Sequence, residues 1–313
     1  VMPSQILVGG SASLNLMYDL IAKAWTHGLQ HSPRPWSQES AVRFLCPAPG
    51  YDRHFRVSQS FGMELIPIAM TPDGPDMDAV EAAVRDPAVK GIWCVPKYSN
   101  PQGIVYSDAG VDRLAALRPA APDFALMWDN AYCLHEVYGQ FVPFRDMLTL
   151  CREAGNADMV YEFASTSKIT FPGAGVAVMA ASEANLKYLS GLLGAQTISY
   201  DKVNQLRHVR FLQDKAHVLE LMQRHAAILR PKFEAVLAAL RGIAPLNIAS
   251  WTEPKGGYFV SCDAMPGTAK RTLALCAGAG VTMTPAGAGR TGGRPGTTAA
   301  GAPTRRARRG NRL

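Results

Sequence analysis

Four short apolar runs constrain the fold of this chain more than any other feature. They are Gly91-Ile92-Trp93-Cys94-Val95-Pro96, Phe124-Ala125-Leu126-Met127-Trp128, Met159-Val160-Tyr161-Glu162-Phe163-Ala164 and Val176-Ala177-Val178-Met179-Ala180. A strand with one wet face alternates apolar and polar residues, whereas a strand apolar at nearly every position is buried on both faces, as in a parallel sheet covered by helices. Arg43-Phe44-Leu45-Cys46 and Glu64 to Pro67 read as two further strands. Between the strands lie helical stretches: Asp76 to Val84, with acids in its first turn, and a segment that starts at Ser107-Asp108, runs through Leu114 and Leu117, and is broken by Pro119 to Pro122. Alternation of this kind predicts an α/β fold with a mostly parallel sheet and helices on both faces.

After Asp201 the texture changes. Val203, Leu206, Val209 and Leu212, then Leu219, Met222, Ile228 and Leu229, recur at helical spacing. Pro231 is expected to end that helix, and a further helix to close at Arg241-Gly242. Pro254 to Val260 reads as a glycine turn entering a strand, and Ala269 to Cys276 as a helix. The expected organisation is a large ligand-binding domain over 1–200, linking helices and a smaller α+β domain over 201–288, and a disordered tail over 289–313.

The formal net charge of +7 invites a nucleic-acid reading, so its location matters. Seven of the 32 basic residues are arginines beyond residue 288, which leaves 25 basic against 25 acidic residues in the body. A neutral body argues against a nucleic-acid surface. With 48% hydrophobic and 18% charged residues the chain can bury a sizeable core. It has no apolar stretch long enough for a membrane span and no signal-peptide pattern at its start, so a cytoplasmic protein is expected. Its six cysteines never form C-x-x-C and read as buried reduced thiols. His217 and His225 have no further ligand beside them, and no metal site is expected.

Where the apolar runs end, polar motifs begin: Asn100-Pro101-Gln102-Gly103, Asp129-Asn130-Ala131-Tyr132 and Ser165-Thr166-Ser167-Lys168. Open α/β folds bind ligands beyond the carboxyl ends of their strands. The set Asn, Asp, Tyr, Lys provides what a pyridoxal phosphate site needs. A lysine amine can form an imine with the cofactor aldehyde, an aspartate can keep the pyridine nitrogen protonated so that the ring accepts the electrons of a carbanion, and an amide and a phenol can hold the ring hydroxyl. An amine placed just past a buried strand is favoured in its neutral, nucleophilic form, and can act as general base and then acid. Each motif also has a plainer reading: Asp129-Asn130 as a helix N-cap, Ser165 and Ser167 as turn caps, and Val8-Gly9-Gly10-Ser11-Ala12-Ser13-Leu14 as a small-residue turn before a helix.

Together the motifs resemble those of the fold type I, class I pyridoxal-phosphate-dependent aminotransferases, and the wider wording, from about Val8 to about Ala288, resembles a divergent aspartate aminotransferase subgroup. The resemblance implies Lys168 as the cofactor-binding base, Asp129 at the pyridine nitrogen, and Asn100 and Tyr132 at the ring hydroxyl. It further implies Ser11, Ala12, Ser13, Ser165 and Ser167 around the phosphate and Tyr51, in the Pro49-Gly50-Tyr51 turn, stacked on the ring. Small amino acid and 2-oxo acid substrates, aspartate:2-oxoglutarate transfer by a ping-pong cycle, and a homodimer follow from the same likeness. Another fold type I activity, such as a lyase or decarboxylase, and a non-catalytic remnant are the competing readings.

Two departures from the family pattern matter. The family commonly carries a phosphate-pairing arginine where this chain has Gly175, in Pro172-Gly173-Ala174-Gly175, so the helix N–H groups and serines, or a basic residue such as Lys202, are expected to hold the phosphate instead. From Gly289 the chain turns to Gly, Arg, Ala, Thr and Pro, a composition like that of a GC-rich gene read in a shifted frame. The substrate-carboxylate arginine of the family is therefore carried over to none of the seven tail arginines. Val1 to Leu7 leads almost directly into the cradle, which reads as a clipped front, and the chain as given is expected to be weak as a transaminase.

Overall fold

The structure is a computed structural model that describes residues 1–284 and 289. It has an eight-stranded sheet, built as follows. β1 (Ile6–Val8) leads into α1 (Ser13–His27); β2 (Arg43–Ala48) into α2 (Asp52–Ser60); β3 (Glu64–Thr71) and β4 (Gly74–Pro75) into α3 (Met77–Ala83); β5 (Val89–Cys94) into α4 (Asp108–Ala115). Then come β6 (Ala125–Asp129), α5 (Met147–Glu153), β7 (Val160–Ser165), β8 (Ala177–Ala180) and α6 (Glu183–Leu193). The strand order is β1-β8-β7-β6-β5-β2-β3-β4.

Five neighbouring strands, β7-β6-β5-β2-β3, run parallel, so their carboxyl ends share one edge. β8 pairs antiparallel with β7, and β1 antiparallel with β8. Two reversals make β1 parallel to β7, which delivers the turn after Val8 to that same edge. The expected α/β architecture is therefore the observed one. β1 and the helices α2, α5 and α6 were not anticipated: β1 is three residues long, and α2 starts one residue after the proline-rich turn.

Strand alternation divides the core into two layers. Phe44, Cys46, Trp93, Met127 and Phe163 point to the face covered by Leu16, Leu20 and Ile21 of α1, Phe55 and Val57 of α2, and Leu186 and Leu189 of α6. Leu45, Ile92, Cys94, Leu126 and Trp128 point to the other, against Val80 of α3, Val111 and Leu114 of α4, and Cys151 of α5. Burying each such side chain contributes about 1.5–3 kcal/mol. The six cysteines are free; Cys46, Cys94 and Cys151 are buried, while Cys133, Cys262 and Cys276 are only half-buried.

Beyond the sheet lie α7 (Lys202–Leu212), α8 (Lys215–Ile243), β9 (Ala249–Trp251), β10 (Cys262–Ala264) and α9 (Ala269–Gly278). Pro231 does not end a helix, as expected, but lies inside the 29-residue α8. An internal proline costs about 3 kcal/mol. Contacts on both sides of it offset that cost: Phe233 and Leu237 pack with Val137 and Val260, and Arg230 Nε donates to the Val137 carbonyl at 3.0 Å. The strand expected at 258–260 is also displaced. Residues 254–261 form a loop whose Tyr258 and Phe259 pack on Tyr132, and the strand comes later, as β10 paired antiparallel with β9. Among the described residues no helix is long and apolar enough to cross a membrane. The last four residues of the expected second domain, 285–288, and the arginine-rich tail from 290 lie outside the described residues.

Candidate active site

Sheet alternation explains the first feature of the site. Trp128 faces the α3–α5 layer, so Asp129, the next and last residue of β6, faces the α1–α2 layer and meets α2 there. Asp129 is 4% exposed, and its Oδ2 lies 3.1 Å from His54 Nε2. A carboxylate can only accept, so the imidazole Nε2–H donates. The His54 ring stacks on Trp93, centroids 4.5 Å apart at 12°, and meets the edge of Tyr51 at 5.0 Å. Asp129 Oδ1 is buried without a partner among the described residues. A buried carboxylate oxygen without a donor is costly unless something supplies one. The cap reading of Asp129 does not apply, because the residues that follow form a turn rather than a helix.

Tyr132, in that turn, is 4% exposed, and the Asn100 side chain lies close enough to its phenol to oppose the rise that burial causes. Burial, with the Asp129 charge behind it, pushes its phenol well above the usual tyrosine range. Lys168 Nζ lies 4.9 Å from the centre of the same ring. Asn100 and Tyr132 thus converge with Lys168, although they come from three different connections. Tyr51, the residue before α2, is half-buried beside His54, and its phenol is likewise raised by burial and then by Asp129. It lies at the same edge as the rest of the set.

The Ser11, Ala12 and Ser13 turn opens α1. Ala12 is its N-cap and supplies no side-chain acceptor, so the first N–H groups of a 15-residue helix have no side-chain cap. Ser167 Oγ donates to the Ser11 carbonyl at 2.9 Å, which ties this turn to the lysine turn and commits that hydroxyl's proton to the backbone. Ser165 Oγ accepts weakly from Ser167 N at 3.4 Å. Gly175 stands where the resemblance led us to look for an arginine, and the space for a side chain there is tight. A Cβ there would sit 3.0 Å from the Ser11 carbonyl oxygen, 3.0 Å from Thr166 Oγ1 and 3.2 Å from Ser167 N. Lys202 is exposed and, among the described residues, bonds only Gln205 of its own helix, at 3.4 Å. The α7 residues that reach this seam are Asn204, donating to the Gly175 carbonyl at 2.8 Å, and Arg207, donating to the Ala174 carbonyl at 3.0 Å.

Sequence reasoning missed three site residues. His54 is one. His135 and Tyr258 are the others: His135 Nε2 at 3.3 Å and the Tyr258 hydroxyl at 3.2 Å both bond the Lys168 carbonyl, fixing the backbone that carries the amine. Burial pushes the His135 imidazole down to about 4, so it is neutral at pH 7 and donates from Nε2. A histidine three residues beyond Tyr132 was a visible signal; the partner of Tyr258 was not. A separate cavity of about 450 Å³ lies at the amino ends of β6 and β7, around His31, Arg118 and Asp158, away from these groups.

Comparisons with known proteins give the family. The aspartate amino-transferase family model matches residues 1–305. A Mycolicibacterium smegmatis protein that carries an aminotransferase name is 51% identical over 284 residues, 90% of this chain, and an aspartate aminotransferase of Corynebacterium glutamicum is 46% identical over 284 residues. The chain spans 66% of the length of each. Among solved structures, an aspartate transaminase from Corynebacterium glutamicum superposes with a TM-score of 0.94 at 43% identity, over 97% of this chain and 72% of that one. The α-aminoadipate aminotransferase LysN of Thermus thermophilus, solved with N-(5'-phosphopyridoxyl)-L-leucine, shares the fold at a TM-score of 0.78 and 22% identity, over 96% of this chain and 72% of that one.

Proposed function

Because the chain belongs to the aspartate amino-transferase family, whose fold works with pyridoxal phosphate, we propose that it transfers an amino group between an amino acid and a 2-oxo acid, with aspartate and 2-oxoglutarate as the pair. The observation that carries the reading is the buried Oδ1 of Asp129, without a partner among the described residues, on the same sheet edge as the Lys168 amine. A protonated pyridine nitrogen is the donor such an oxygen lacks, so the residues fit the cofactor. When bound, the cofactor supplies an electron sink for the pair left at the substrate α-carbon once its proton departs.

The chain's own groups then divide the work. Asp129, backed by the His54 Nε2–H, would hold negative charge for the protonated ring nitrogen. Asn100 and Tyr132 present an amide and a phenol to the ring hydroxyl, with Tyr51 beside them. The N–H groups of Ser11, Ala12 and Ser13, at the start of a helix whose N-cap supplies no side-chain acceptor, would suit a phosphate dianion. In this reading Ser165 adds a hydroxyl, while Ser167, its own proton committed, braces the cradle rather than donating to the phosphate. Lys168 Nζ would anchor the cofactor, and once substrate displaces it the amine would take the α-carbon proton and deliver it to the cofactor carbon that receives the amino group, as base and then acid.

A homodimer remains part of the proposal; α7 supports it, for Val203, Leu206, Val209 and Phe211 stand exposed on that helix, an apolar surface that a second copy would cover. Borohydride reduction of protein loaded with pyridoxal phosphate, followed by peptide mapping, tests the central assignment. Label on the peptide holding Lys168 is expected, and label on any other lysine would overturn it.

A further inference from the structure

Asn100 and Tyr132 must meet for the ring hydroxyl to be held, yet they ride on separate connections, 95–107 after β5 and 130–146 after β6. A buried ion pair joins these two segments just behind the site. Lys97, 3% exposed, stands three residues before Asn100; Glu136, 5% exposed, stands four residues after Tyr132. Lys97 Nζ lies 2.5 Å from Glu136 Oε1 and also donates to the Cys133 carbonyl at 3.0 Å and the Val142 carbonyl at 2.7 Å. All three acceptors belong to the connection that carries Tyr132, and Lys97 belongs to the one that carries Asn100. Val142 N in turn donates to Glu136 Oε1 at 3.1 Å, closing the ring of contacts. The ammonium also sits 5.4 Å from the Tyr98 ring centre and 5.0 Å from that of Phe141.

Burying a lysine and a glutamate together is expensive, and an apolar pair of similar volume is often as stable or more so. Stability alone is therefore a weak reason for this pair. Its geometry gives a better one. The three protons of one ammonium are spent on three acceptors at fixed positions in the opposite connection, so the pair fixes the offset between the two segments, and with it the Asn100–Tyr132 contact. Resting on the cofactor reading above, we infer that Lys97 and Glu136 are positioning residues that set Asn100 and Tyr132 for recognition of the cofactor's ring hydroxyl.

The test exploits an analogue. Wild-type chain and the double variant Lys97→Met with Glu136→Leu, apolar and close in volume, are each titrated with pyridoxal 5'-phosphate and with 3-deoxypyridoxal 5'-phosphate, which lacks the ring hydroxyl. The expected result is an about tenfold loss of affinity for pyridoxal phosphate, the size of one displaced hydrogen bond, with affinity for the deoxy analogue unchanged within about twofold, because the contact the pair aligns is absent there. Equal loss for both cofactors assigns the pair a merely structural role and overturns the inference, as does no loss for either. Glu136→Gln, which keeps the shape and weakens the pair, is run in parallel so that a misfolded double variant does not decide the outcome. If wild-type chain fails to take pyridoxal phosphate onto Lys168, the cofactor reading falls and the inference with it; if wild type binds and the variants match it, only the inference falls.

Discussion

Replacing His54 by Phe isolates the electrostatic support of Asp129. A phenyl ring preserves the stack on Trp93, at a centroid distance of 4.5 Å, but removes the Nε2–H that reaches Asp129 Oδ2 at 3.1 Å. The side chains are 2% and 5% exposed, so water does not readily replace the lost donor. Oδ1 has no partner among the described residues, and the variant strips Oδ2 of its imidazole as well. A hydrogen bond to a charged group contributes about 1.5–3 kcal/mol, roughly a 10- to 150-fold change in an equilibrium constant. The expected result is a loss of folding stability in that range, because the buried carboxylate is left without a donor, together with a loss of pyridoxal phosphate affinity. The assay is a double-mutant cycle of cofactor titrations on wild type, His54→Phe, Asp129→Asn and the double variant. If His54 acts through the carboxylate, its replacement costs little once Asp129 is an amide, and the cycle returns a coupling of about 1.5 kcal/mol or more. Effects that simply add would refute the reasoning, since they would show that His54 contributes only packing.

Gly175→Arg, which restores the arginine expected from the resemblance, should weaken rather than strengthen the protein. The added Cβ presses on two backbone atoms, the Ser11 carbonyl oxygen at 3.0 Å and Ser167 N at 3.2 Å, and overpacking of this kind costs about 1–3 kcal/mol, readable as a lower urea midpoint; an unchanged midpoint with tighter cofactor binding would contradict it. Two buried groups should give opposing pH dependences of stability. His135 titrates at about 4 when folded against an ordinary value of 6.5, so the unfolded chain takes up its proton first, and stability from this group is lost as pH falls from 6.5 toward 4, on the order of 3 kcal/mol in full. Glu162, raised to about 7 from 4.5 by burial, holds its proton longer in the folded state, so its contribution is present below 4.5 and lost as pH rises through 7. Urea denaturation across pH 4–8 should therefore steepen toward acid loss in Glu162→Gln and flatten there in His135→Asn; identical pH profiles for wild type and both variants would sink the assignment.

Much of this protein was legible in the sequence because the signals were local. Buried strands announce themselves by unbroken apolar runs, so the ends of β5, β6 and β7, and with them Asn100, Asp129 and Lys168, could be placed on one edge of a parallel sheet from pattern alone. Asp76 and Ser107 could be read as helix starts for the same reason, and both cap the helices that follow. What the sequence could not provide was any relation that depends on which strand lies beside which. His54 reaches Asp129 across 75 residues only because β2 is inserted next to β5 and alternation turns Asp129 toward α2. Tyr258 reaches the Lys168 carbonyl across 90 residues, and Lys97 finds Glu136 across 39. Pro231 read as a helix end because propensity is a local property, whereas packing on both sides of it decided that α8 continues. Gly175 read as a missing arginine, and only the fold shows how closely the Ser11 and Ser167 backbones approach a Cβ placed there. Periodicity and caps are written in neighbouring residues; the partners of a buried polar group are chosen by the order of the strands, and that order exists only in three dimensions.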